Sequence, residues 1–193
     1  MTLISTMRFR ALLLACGFLP CLPVQAQYTP WAEENFPMNL YWGDTHLHSS
    51  YSVDANTMGN TGLDPAQAYR FAMGEAVRAN NGMLARLNTP LDFLVVSDHA
   101  EQLGTMLKLR EGDPRLLQDP EVKRIHQAIS GGDGDEAAGQ VMQEFLSRMG
   151  SGEAMIENPA VSRDVWQSAV SIADEYNAPG KFTTLIGFEW TSL

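Results

Sequence analysis

Residues 90–97 restrict the fold more than any other stretch of this chain. Leu91, Phe93, Leu94, Val95 and Val96 follow one another with a single polar break. That pattern predicts a strand buried on both faces of a parallel sheet. Parallel neighbours need crossover connections, usually helical, so one such strand commits the flanking chain to an α/β arrangement. Two further runs fit. Residues 39–46 predict a first strand, and residues 182–188, strongly apolar and β-branched, predict a third.

Helix signals fill the gaps. Asp64 is a good N-cap and Pro65 suits the first helical position. Tyr69, Phe71, Ala72, Ala76 and Val77 then supply an apolar face to about Arg78, where Asn80-Asn81-Gly82 ends or turns the segment. Residues 102–181 read as helical. Val122, Ile125 and Ile129 are helically spaced, as are Val141, Phe145 and Leu146 over 136–148. Val161, Val165, Trp166, Val170 and Ile172 mark a helix over 159–176, broken by Ala178-Pro179-Gly180. Residues 49–62, rich in Ser, Asn, Thr and Gly, predict a loop. There is no internal repeat.

In parallel sheets and barrels, ligands and catalytic groups collect at the C-terminal strand ends. Here the three predicted strands end in His46-x-His48, in Asp98-His99 and in Glu189. Alternating side chains point the same way at i and i+2, so His46 and His48 can reach one point in space. Alone, a His-x-His pair reads more readily as a surface pair beside a turn; the two later strand ends reverse that balance. Imidazole and carboxylate donors without thiolate suit zinc, manganese or iron. The expected ligands are His46, His48, Asp54, His99 and Glu189. A bridging Glu189 would let two divalent ions share the site. Asp98 is assigned a catalytic role as a hydrogen-bond acceptor behind a ligand or a water. Ser49, Ser50 and Ser52 lack a nucleophile elbow and are expected to shape the metal loop. His126 reads as a helix-surface residue, and Asp133 and Asp135 as loop positions that fail the EF-hand spacing.

The first 26 residues have a basic start at Arg8 and Arg10, a short apolar stretch and a Val24-Gln25-Ala26 cleavage pattern. This predicts a secretory signal peptide and a periplasmic or secreted protein. Leu13-Leu14-Ala15-Cys16 loosely matches a lipidation box, but the apolar stretch before Cys16 is very short. Cleavage after Ala26 would remove Cys16 and Cys21, both cysteines of the chain, so the core or a metal, and no disulfide, would hold the mature protein. It would also take the basic residues from 13 to 11 against 23 acids, a net charge of −12. Such acidity argues against nucleic acid or an anionic membrane surface as partner. No oligomeric state follows from the sequence.

The segments Tyr41-Trp42-Gly43-Asp44-Thr45-His46-Leu47-His48-Ser49-Ser50-Tyr51-Ser52-Val53-Asp54, Ala68-Tyr69-Arg70-Phe71-Ala72, Val96-Ser97-Asp98-His99-Ala100-Glu101 and Ile186-Gly187-Phe188-Glu189-Trp190-Thr191 together resemble the domain-of-unknown-function 3604 family. That family is related to the PHP (polymerase and histidinol phosphatase) metal-dependent hydrolases. The resemblance implies part of a distorted, TIM-like β/α barrel binding two or three metals, with a helical insertion at about 102–181. It matches His46 and His48 to the first histidine pair, Asp54 to the carboxylate after it, His99 to the next histidine and Glu189 to the bridging glutamate. It also implies hydrolysis of a small-molecule phosphoester or related ester by metal-activated water. The PHP pattern has further histidines and an Asp-x-His after the glutamate, and these have no counterpart by Leu193. The expectation is therefore an N-terminal piece of a barrel. An amidohydrolase-type hydrolase and a non-catalytic fragment are the alternatives.

Overall fold

The structure is a computed structural model, and it describes residues 39–130 and 158–191, with 140, 143–144, 147–148, 151 and 156 between them. The expected signal segment, Asp133 and Asp135, and most of the expected helix over 136–148 lie outside the described residues. In chain order the elements are β1 (Gly43–Leu47), α1 (Val53–Thr57), α2 (Pro65–Ala72), β2 (Val77–Arg78) and β3 (Leu84–Ala85). There follow β4 (Phe93–Val96), α3 (Thr105–Glu111), α4 (Pro120–Ser130), α5 (Pro159–Tyr176) and β5 (Thr183–Ile186).

β1, β4 and β5 form a parallel three-stranded sheet in the order β1-β4-β5. This is the mixed α/β architecture read from the sequence, and among the described residues the sheet does not close into a barrel. The start of the sheet is held by Asp92, whose Oδ2 accepts from the Trp42 amide at 2.7 Å while its own amide donates to the Trp42 carbonyl at 2.7 Å. Gly43 lies so close to Phe93 that a Cβ there would collide with both the ring and the carbonyl oxygen of Phe93. The pairing register of β1 slips between Asp44 and Leu47, an irregularity of the kind that re-aims side chains beside functional sites.

α2 begins as expected. Asp64 accepts from the Gln67 amide at 2.9 Å and the Gln67 side chain accepts from the Asp64 amide at 3.2 Å, a complete capping box ahead of Pro65. The helix does not run to Arg78. Gly74, at φ +85°, takes the left-handed turn that ends it, and a Cβ there would press on Pro90. Val77 and Arg78 instead pair antiparallel with Leu84 and Ala85, and Asn80-Asn81-Gly82 forms the hairpin tip. The predicted loop over 49–62 also contains one short helix, α1. α5 starts at the Asn158 cap, which accepts from the Val161 amide at 3.2 Å.

Two apolar clusters hold these elements. Tyr69 and Ala72 of α2, Leu94 and Val96 of β4, Ala173 of α5 and Phe182 form the layer between sheet and helices. Leu103, Met106, Leu109, Leu116, Val122, Ile125, Val161 and Val165 form a second, all-helical cluster. α5 contributes its first half to the helical cluster and its last turns to the sheet layer, which joins the two. Burial of β4 on both faces is not what the structure has. Leu94 and Val96 are buried beneath α2 and α5, while Phe93 and Val95 on the opposite face are only half-buried. Among the described residues, helices cover one face of the sheet.

Candidate metal centre

The C-terminal ends of the three parallel strands deliver the candidate ligands. After β4 and β5, the strands stay zipped for a few more residues. The Glu189 amide donates to the Asp98 carbonyl at 3.0 Å, and the Ala100 amide donates to the Glu189 carbonyl at 2.9 Å. That bridge places His99 and Glu189 side by side. β1 supplies His46 and His48, and their ring centroids lie 5.1 Å apart. Asp44 accepts from the His46 amide at 2.8 Å and so fixes the irregular strand end instead of joining the ligands.

All five sequence-predicted ligands meet. Glu189 Oε2 is 2.9 Å from His46 Nε2 and 2.8 Å from His48 Nε2. Asp54 Oδ2 is 2.8 Å from His48 Nδ1 and 3.7 Å from His99 Nε2, and His99 Nε2 is 3.9 Å from Glu189 Oε2. Two groups of metal-ligating type result: His46, His48 and Glu189, and beside them His48, Asp54 and His99.

His48 occurs in both groups, yet a neutral imidazole has one lone pair. Its Nδ1 makes a hydrogen bond of 2.8 Å with Asp54, and an ionised carboxylate only accepts, so the proton sits on Nδ1. Its Nε2 then carries the lone pair. That nitrogen is buried and makes no hydrogen bond, although Glu189 Oε2 lies 2.8 Å away. An unprotonated nitrogen and a carboxylate oxygen that close repel each other unless a cation lies against both. The donor set of His46, His48 and Glu189 therefore fits a divalent ion, and Asp54 orients the histidine from behind in the manner of a carboxylate–histidine–metal arrangement.

The carboxylates are held in the form a cation needs. The hydrogen bond from His46 draws the Glu189 carboxyl below its ordinary value, against the cost of desolvation, and protonation of His99, His46 or His48 would act the same way. For Asp54, burial pushes upward, but hydrogen bonds from Ser52, His48 and the Ala55 amide together outweigh it and the carboxyl is lowered.

Asp98 accepts from Ser49, its Oδ1 from the amide at 2.5 Å and its Oδ2 from the hydroxyl at 2.7 Å. Burial raises its carboxyl, with the two Ser49 hydrogen bonds pulling the other way. Asp98 thus clamps the end of β1 to the end of β4 through Ser49. The serines do shape the loop. Ser52 donates to Asp54 Oδ1 at 2.5 Å, accepts from the His99 amide at 3.3 Å and lies 3.4 Å from His48 Nδ1. Ser49, Ser50 and Ser52 are all buried. Ser52 is the functional neighbour whose reach the sequence hid, since its contacts span two strand ends. His126 donates to the Leu109 carbonyl at 2.6 Å and ties α4 to the end of α3, away from both ligand groups.

Fold and site thus define an α/β protein with a His/Asp/Glu centre of metal-ligating type at its parallel strand ends. The model of the protein family of unknown function DUF3604 matches residues 35–193, and the chain belongs to that family. No curated protein and no solved structure matches it.

Proposed function

We propose that the protein is an exported metal-dependent hydrolase of small-molecule esters, phosphoesters first among them. The observation that carries this reading is the buried Nε2 of His48, set 2.8 Å from a Glu189 oxygen without a hydrogen bond. His46, His48 and Glu189 would hold one divalent ion and Asp54 with His99 a second, zinc, manganese or iron by donor type. When bound, such ions supply Lewis acidity and lower the pKa of a water molecule to about 7. The chain's own part is to fix the donors. Asp54 keeps the His48 lone pair aimed at the site, Ser52 keeps Asp54 turned inward, and Glu189 offers an ionised oxygen to both histidines of β1.

The sheet is read as part of a PHP-like barrel. Support comes from its parallel order, from ligands gathered at the C-terminal strand ends, and from the half-exposed apolar face formed by Phe93, Val95 and Leu185. A largely apolar cleft beside His48, lined by Leu63, Ala68, Phe71, Val77 and Ala85, suits a small organic group on the substrate. Among the described residues no helix is long and apolar enough to cross a membrane.

Hydrolysis of aryl phosphoesters and aryl carboxylic esters by the purified chain tests the proposal. The expected result is turnover that a chelator abolishes and added manganese or zinc restores. Turnover indifferent to chelator, or equal in His48→Ala, would overturn it.

A further inference from the structure

Glu101 has no part in the ligand groups, yet its environment is unusual. Its Oε2 is buried and without a hydrogen bond among the described residues. Its Oε1 accepts from the Thr191 amide at 3.3 Å, which anchors the carboxylate across the zipped strand ends. The nearest polar ring to Oε2 is that of His99, whose Nδ1 lies 3.9 Å away, and the Thr191 hydroxyl lies 3.2 Å from the same Nδ1. The opposite nitrogen, Nε2, faces Asp54 and Glu189 at 3.7 and 3.9 Å. The imidazole is therefore bracketed, with ligand carboxylates on one side and the Glu101–Thr191 pair on the other.

We propose that Glu101, acting with Thr191, is a positioning residue that fixes His99 as its Nδ1–H tautomer and so presents the Nε2 lone pair to the metal centre. Among the described residues the Thr191 hydroxyl is the one group within hydrogen-bond reach of either ring nitrogen and can accept the Nδ1 proton, and the Glu101 carboxylate on that side offsets the pull of Asp54 and Glu189 on Nε2. No comparable acceptor is within hydrogen-bond reach of Nε2. The consequence for metal affinity rests on the function proposed above; the tautomer does not.

Histidine-ring nitrogen NMR on the metal-free protein, taken at an alkaline pH beyond which the ring signals no longer move, reads the tautomer directly. The wild type is expected to show His99 predominantly as Nδ1–H. Glu101→Ala and Thr191→Val should shift population to Nε2–H, and Glu101→Gln, nearly isosteric, should do so with the fold intact by circular dichroism. Calorimetric titration with zinc should then show binding at the Asp54–His99 group weakened about ten- to a hundredfold in Glu101→Ala, with the His46–His48–Glu189 group unaltered. A His99 tautomer unchanged in both Glu101 variants would overturn the proposal. A tautomer that shifts in a protein binding no zinc at all would uphold the positioning role and remove the metal centre instead.

Discussion

At Asp98 a buried carboxylate takes both donors that Ser49 offers, and this is the clamp between the first two strand ends. Removing it strands an amide and a hydroxyl that are both buried. Asp98→Ala is expected to cost about 1–3 kcal/mol of stability, measured from urea unfolding. Asp98→Asn should cost less, since an amide oxygen can still accept from Ser49 and its nitrogen can donate to the hydroxyl. Full stability in Asp98→Ala would contradict the clamp. The five candidate ligands were legible because strand alternation and strand-end placement are local regularities that need only a few neighbouring residues. The Ser49–Asp98 and Ser52–His99 pairings were not, because nothing periodic links a loop serine to a residue nearly fifty positions away.

The elements that carry the strands differ in how clearly they announce themselves. α2 and α5 start at an Asp-Pro and an Asn-Pro pair, signals that a cap and a fixed φ make nearly unambiguous. The end of α2 was harder. Ala76 and Val77 continue its apolar spacing, but Gly74 turns left-handed against Pro90 and the chain leaves as a hairpin. In the helical layer, Arg115 joins the turn after α3 to α5, its guanidinium bonding Asp113 at 2.7 Å and Asp164 at 2.6 Å. That guanidinium holds the Asp113 carboxyl at about 2, against 3.8 for the free group. A carboxyl lowered on folding adds stability that is fully present above its unfolded value and is lost as the pH falls through its folded one. The urea midpoint of Asp113→Asn should therefore lie below that of the wild type by a constant amount above about pH 5. The gap should narrow as the pH falls below 3.8 and close near 2. A gap independent of pH would mean that the link is not ionic.

For the molecule as a whole, the parallel sense of β1, β4 and β5 was readable from the apolar runs and the helices between them. The one-sided cover of the sheet was not. An apolar run states that a face is greasy, but only packing shows what lies over it, and Phe93, Val95 and Leu185 are left half-exposed or exposed. With 23 acidic against 13 basic residues, bound divalent cations would offset part of a large negative charge. Ligation at strand ends that are far apart in sequence would also tie β1, β4 and β5 together, so the proposed metal binding would be coupled to stability. The most direct test is the metal content and zinc or manganese affinity of the purified chain, compared with His48→Ala, since His48 is a candidate ligand of one group and is hydrogen-bonded to Asp54 of the other. The account predicts bound divalent ion in the wild type, stabilisation of about 2.7 kcal/mol at a hundredfold excess over Kd, and loss of both in His48→Ala. A wild-type chain that folds cooperatively and binds neither zinc nor manganese, or one whose binding is unchanged by His48→Ala, would contradict it.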